Sequence, residues 1–299
     1  MTHKYQASRQ WELINRYWVT DEAALDITNF KSGRPNHKIA LWNPESNGVR
    51  YLKTLIYNLA SGLGPADWDR IRRTSNRDFG NPIEVRWKGE RICLDYLQAA
   101  LEVGFVEKNV DLHGASVLEI GAGYGRTCHA LLSNHDISTY CIVDLDTTMQ
   151  LSKKYLRAVL DDAQFAKLRF VSVDDVDTRL NSTRFDLCIN IDSFAEMDPN
   201  TVRGYLVLID QRCTSFYVKN PVGKYWDSSL DGHAERADVV VSALESGLLR
   251  QVVDIHDSEA VKAAVPEFIS AYRPGDRWSC AADAWAAPWS FYWQALYKK

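Results

Sequence analysis

The sequence predicts an α/β fold: a seven-stranded, mostly parallel sheet behind an N-terminal, mainly helical cap. Three observations carry the prediction. From residue 116 onward short apolar runs alternate with amphipathic segments, the pattern of a parallel sheet covered on both faces. A glycine-rich turn, Gly121-x-Gly123-x-Gly125, follows the first run directly. Before residue 110 the chain has helical periodicity and loop composition instead. The boundary is therefore set near 110, giving a cap and substrate-binding region over 1–110 and a sheet domain over 111–299.

In order, QWELINRYW and GVRYLKTLIYNLASGL carry apolar residues at three- and four-residue spacing and predict helices. Between them NFKSGRPNHKIALWNPESNG is dense in Pro, Gly, Asn and Ser and predicts a long loop. ERICLDYLQAALEVGF predicts a third helix. The strand runs are then SVLEI, TYCIVD, LRFVSV, FDLCINI and TSFYVKN, separated by the helical segments GRTCHALLSN, TTMQLSKKYLRAVLDDA and NTVRGYLVLIDQR. LLRQVVDIH and WSFYWQALYKK predict the last two strands.

Bulk properties narrow the function class. The chain is 46% hydrophobic and 25% charged with a net charge of -4, a globular composition without the basic footprint of a nucleic-acid binder. No segment approaches the roughly 18 apolar residues of a membrane span, and MTHKYQASRQWELINRYW lacks a signal-peptide core, so a cytoplasmic location is expected. Cys93, Cys128, Cys141, Cys188, Cys213 and Cys280 show no CxxC spacing and read as reduced, buried thiols. Asp227 and Asp231 have no spacing that demands a divalent ion, so no metal is expected. The aromatic-rich preface leaves a homo-oligomer open.

The turn itself points to a cofactor. Strand, glycines, then helix bends the backbone tightly and lets a ligand approach a helix N-terminus. Asp144 closes the next strand, 21 residues after Gly123, in register to accept hydrogen bonds from a ribose diol. The order GxGxG differs from the dinucleotide fingerprint GxGxxG, and no Gly-Lys-Ser/Thr follows for a triphosphate. S-adenosylmethionine (SAM) suits the turn better: Glu119 can meet its ammonium and backbone N–H groups its carboxylate. Another kind of nucleotide-binding α/β domain is the alternative.

VLEIGAGYG with IVDLD resembles the first two signature segments of class I SAM-dependent methyltransferases, whose sheet is Rossmann-like. DLCINIDSFAEM and FYVKNPV, with LEIGAGYGR, are similar to segments of the sugar O-methyltransferase family, over roughly residues 80–299. The resemblance implies that Asp174 or Asp175 lies near the adenine amino group and Asn190 under the sulfonium. It also implies an antiparallel hairpin at the end of the sheet, and assigns Arg91 to the SAM carboxylate. The stretch NPVGKYWDSSLDGH, beginning at Asn220, is where the acceptor is expected, yet nothing in it dictates a sugar.

Methyl transfer needs alignment and the handling of one proton. Asp192 and Glu196, four apart after the fourth strand, share a face if the chain turns helical there; helix capping is the competing role for Asp192. His233 is the histidine best suited to act as general base, whereas His129 reads as structural and Met197 as core. Asp78 and Asn81, with Arg91, are candidates for a lid, and Tyr225 and Trp226 for the floor of the acceptor site. The leading expectation is a small-molecule methyltransferase acting on a sugar hydroxyl. The alternative is an N-methyltransferase for a cationic amine or guanidine, gripped by Asp192, Glu196 and Asp78. A non-catalytic SAM-binding module would show a broken turn or a missing acid, and both are intact.

Overall fold

The computed structural model describes residues 5–17, 20, 27–32, 48–225 and 237–299. The preface contributes helices α1 (Arg9–Tyr17), α2 (Val49–Gly62) and α3 (Pro65–Arg73) and a hairpin of β1 (Glu84–Trp87) and β2 (Glu90–Cys93). Helix α4 (Leu94–Glu107) leads into the sheet domain. There β3 (Ser116–Ile120), α5 (Arg126–Asn134), β4 (Thr139–Asp144), α6 (Asp146–Val159), α7 (Asp162–Ala166) and β5 (Leu168–Ser172) follow one another. The second half runs through α8 (Val176–Arg179), β6 (Phe185–Ile191), α9 (Pro199–Arg212) and β7 (Cys213–Pro221). It ends with α10 (Ala237–Glu245), α11 (Ser258–Ala271), β8 (Ser279–Trp285) and β9 (Tyr292–Lys298).

The seven-stranded sheet has the order β5-β4-β3-β6-β7-β9-β8. The first five strands are parallel, and β9 pairs antiparallel with both β7 and β8. This is the Rossmann-like class I methyltransferase arrangement, with its closing antiparallel hairpin. Side chains alternate across it as strand geometry requires. Val117, Tyr140, Ile142 and Tyr217 join a core with α4, α5 and α6, while Leu118, Cys141, Val143, Phe216 and Val218 join a second core with α9 and α11.

Three local readings are corrected. ERIC is a strand paired with EVRW through a Lys88–Gly89 turn at positive φ, and the third helix begins only at Leu94. LLRQVVDIH supplies an isolated bridge from Val252 to Lys224, because Leu249 and Val253 pack as loop residues into the second core. The missing strand is SCAADAW, an edge strand whose residues alternate between exposed and half-buried, so its alanines gave little apolar signal. Helix α11, unread in the sequence, contains Pro266 and is capped by the Asp257 carboxylate, which accepts from Glu259 N at 2.9 Å.

The first core also runs from Phe30, Leu52 and Ile56 through α4 into Val117, Leu131 and Leu156, so preface and sheet share one interior. Among the described residues no helix is long and apolar enough to cross a membrane.

Candidate functional site

The chain leaves β3 toward β4 and β5, then returns to β6 on the other side of β3. Such a reversal opens a crevice beyond the carboxyl ends of the strands, where ligands of open α/β sheets bind. A cavity of about 120 Å³ lies there. The Gly121–Tyr124 turn, Asp144, Asp192, Glu196 and the N-terminal residues Tyr5–Ser8 and Trp11 line it.

The glycines of the turn have φ of +75° at Gly121, +58° at Gly123 and +95° at Gly125. At Gly121 a Cβ would meet Ser193 Oγ at 2.1 Å, so the loop after β6 itself packs against the turn. Glu119 and Asp144 end adjacent parallel strands on the same face, by the same alternation that orders the core. Glu119 is 2% exposed and its Oε2 accepts from the Tyr140 hydroxyl at 2.8 Å. Burial pushes its carboxyl up to about 7, against the pull of Tyr140 and Arg126. Asp144 takes Gly123 N–H at 3.0 Å on Oδ2 and Leu145 N–H at 2.7 Å on Oδ1, bracing the turn. Burial raises it to about 7 as well, although those amides favour the carboxylate.

Behind this wall lies a charged cluster absent from the sequence reading. Arg126, directly after the turn, pairs with Glu102 at 2.8 Å, and Lys219 reaches the same carboxylate at 2.8 Å. Burial opposes the charge on Glu102, yet the two cations outweigh it and hold the carboxyl below its ordinary range. Burial lowers the Lys219 ammonium. The signal was available: a lone Glu in LQAALEVGF and a lone Lys in TSFYVKN are charges in apolar runs, which survive there when paired. Asp95, Gln98 and Tyr124 line the cavity beside Arg126, and Tyr124 donates to Asp95 at 2.7 Å.

Asp192 and Glu196, from the loop after β6, also line the cavity. The chain makes a 3₁₀ turn over Ser193–Ala195 rather than a helix, and Asp192, at φ +66°, makes no side-chain cap bond there. Its backbone N–H donates to Lys219 O at 2.7 Å, and the Tyr292 hydroxyl of β9 donates to its Oδ1. Glu196 Oε2 accepts from the indole N–H of Trp11 at 2.8 Å. Met197 packs against the second core and also lines the cavity.

Other expected site residues lie elsewhere. Asn190 and Asn220 are fully buried and form a clasp beneath the loop: Asn220 Nδ2 donates to Asn190 Oδ1 at 2.9 Å, and Asn190 Nδ2 to Ile120 O at 2.9 Å. Neither lines the cavity. Asp174 is exposed and Asp175 pairs with Arg179 at 3.0 Å, while their neighbour Val173 lines the cavity. Arg91 is exposed on the hairpin, paired with Asp78 at 2.6 Å, and Asn81 donates to Asn29 at 3.1 Å; none of the three touches the cavity. Tyr225 is 44% exposed, packs on Phe291 at 5.0 Å and stands outside the lining. Trp226 and His233, like Asp227 and Asp231, lie outside the described residues. His129 is buried against the Tyr96 hydroxyl at 2.5 Å, and burial drives its imidazole down to about 3, a neutral structural group.

No family model matches the chain, and no curated protein matches it. Among solved structures it is similar to the methyltransferase domain of a bacterial CtHen1, with 14% identity, TM-score 0.47, and coverage of 68% of this chain and 97% of that one. It is also similar to the glycopeptide N-methyltransferase MtfA complexed with sinefungin, with 15% identity, TM-score 0.45, and coverage of 67% and 93%. A third is magnesium protoporphyrin IX methyltransferase from Synechocystis PCC 6803 with bound SAH, with 11% identity, TM-score 0.44, and coverage of 82% and 98%. The fold itself is defined by the strand order described above.

Proposed function

We propose that the chain is a SAM-dependent methyltransferase for a small-molecule acceptor. The observation that carries this reading is the convergence of a positive-φ glycine turn and two buried strand-end carboxylates on one cavity at the sheet's reversal point. The donor set fits the cofactor. Glu119 can hold its ammonium, the turn's N–H groups its carboxylate, and Asp144 its ribose hydroxyls. When bound, the cofactor supplies a methyl group already activated on a sulfonium. The chain's part is to bind, align and manage a proton.

Asp192 and Glu196 line the same cavity from the loop after β6, and they are the acids this reading assigns to the acceptor. With the sugar hydroxyl that the resemblance implies, one of these carboxylates takes the hydroxyl proton as the oxygen gains the methyl. The lining favours a second reading too. Among the described residues it holds five acidic side chains, Asp95, Glu119, Asp144, Asp192 and Glu196, against one guanidinium, Arg126, which is paired with Glu102. Such a wall attracts an amine or guanidine and repels an anionic, nucleotide-linked sugar.

The test is transfer from methyl-labelled SAM to free sugars, nucleotide sugars, arginine-like amino acids and simple amines, with products read by mass. A product on sugar oxygen supports the first reading and one on nitrogen the second. If SAM fails to bind the chain in calorimetry, the activity itself is refuted.

A further inference from the structure

The expected lid, around Asp78 and Arg91, stands away from the cavity; its roof comes instead from the N-terminal segment. Tyr5, Gln6, Ala7, Ser8 and Trp11 all face inward from residues 5–17. One anchor seats this strap on the second core: the Tyr5 ring packs 4.6 Å from Tyr205 with its hydroxyl 3.4 Å from Gly204 O. Ile14 of α1 is also buried. Helix α1 also packs against α10.

The seat is a weak one. Helix α1 has nine residues, shorter than the roughly 12–15 at which a helix begins to hold by itself. Gln10 Oε1 and Asn15 Oδ1 are buried without a hydrogen-bond partner, and each such group costs folding free energy. Segments with few apolar anchors and unsatisfied polar groups open readily. Against this background one bond stands out. Trp11, on the strap, donates its indole N–H to Glu196 at 2.8 Å, across 185 residues of chain. An indole nitrogen can only donate, so it selects an oxygen acceptor.

We propose that Trp11 is a positioning residue: it fixes the Glu196 carboxylate and closes the strap over the cofactor in one movement. The proposal rests on the methyltransferase reading, since it takes the cavity to be the cofactor's. Closure then makes the acceptor-side acid ready only when the roof is down. Opening frees the cofactor product and withdraws the indole from Glu196 together. The bond is thus a latch between two elements that both line the cavity, the N-terminal strap and the loop after β6.

The probe is S-adenosylhomocysteine (SAH), with two readouts: amide hydrogen exchange over Arg9–Tyr17 and the SAH dissociation rate. SAH should slow exchange across α1 in the unaltered protein. Trp11→Phe and Glu196→Leu should each speed SAH release by about tenfold, the loss of one hydrogen bond to a charged group. The double variant should be no faster than either single one, because both remove the same contact. Glu196→Gln keeps an oxygen for the indole and should release SAH at nearly the original rate. Additive effects in the double variant, equally fast release from Glu196→Gln, or exchange in α1 indifferent to SAH would each overturn the latch. Absence of SAH binding to the unaltered protein would instead remove the cofactor reading, and the latch with it.

Discussion

Two carboxylates, Glu119 and Asp144, hold their protons up to about pH 7 because burial disfavours their charged forms. In the unfolded chain they would ionise near the ordinary carboxylate range, so between roughly pH 4 and pH 7 the folded state carries the extra protons. Their contribution to stability is therefore fully present below about pH 4 and is lost as pH rises through 7. A cationic ligand reverses the preference at Glu119, since the ammonium pairs with the ionised form. SAH affinity should accordingly rise between pH 5.5 and pH 8, with proton release visible as buffer-dependent heat in calorimetry. Glu119→Gln should flatten that pH dependence and weaken binding by about tenfold or more, the cost of a lost charge-assisted bond. A flat profile in the unaltered protein would remove Glu119 from the ammonium site.

At the scale of elements, the turn and the loop after β6 are packed as one piece. Gly121 combines φ +75° with a would-be Cβ 2.1 Å from Ser193 Oγ. Gly121→Ala should lose about 1–3 kcal/mol from the backbone alone, measured by denaturant unfolding. Adding Ser193→Gly should recover only the steric part of the damage; full recovery would mean that the backbone conformation carries no strain. This packing also explains what the sequence could and could not convey. The strands β3 to β7 were legible because each is an apolar run bounded by turns, and Glu119 and Asp144 because they end such runs in register. The fate of Asn190 and Asn220 was hidden, since a buried clasp and a ligand contact place the same amide after the same strand. Trp11 and Tyr292 were invisible as partners of Glu196 and Asp192, because contacts across 185 and 100 residues leave no local pattern. Edge strand β8 escaped because half of its residues face solvent and its small side chains mimic a loop.

The whole molecule is tied by its shared interior. Phe30, Leu52 and Ile56 of the preface belong to the same core as Leu131 and Leu156 of the sheet domain. Lys31 adds a cross-tie, its ammonium donating to the Tyr155 hydroxyl at 2.9 Å and lying 4.9 Å from the ring centre of Tyr96 and 5.1 Å from that of Tyr124. The described parts of the preface from Phe30 onward should therefore unfold with the sheet in one cooperative transition, with coincident far- and near-ultraviolet dichroism. Two separated transitions would mean that the cap is a domain with its own core. A different consequence follows from the contact between Gly121 and Ser193. On the reading proposed above, the turn that holds the methyl donor and the loop that meets the acceptor are in direct contact, so the spacing between them would be inherited with the sheet. On the same reading, substrate choice would be rewritten from outside that pair, through the strap that carries Trp11 and the closing hairpin that carries Tyr292, which hold Glu196 and Asp192. Exchanging those two pieces would change which molecule is admitted while the distance the methyl must travel stays the same.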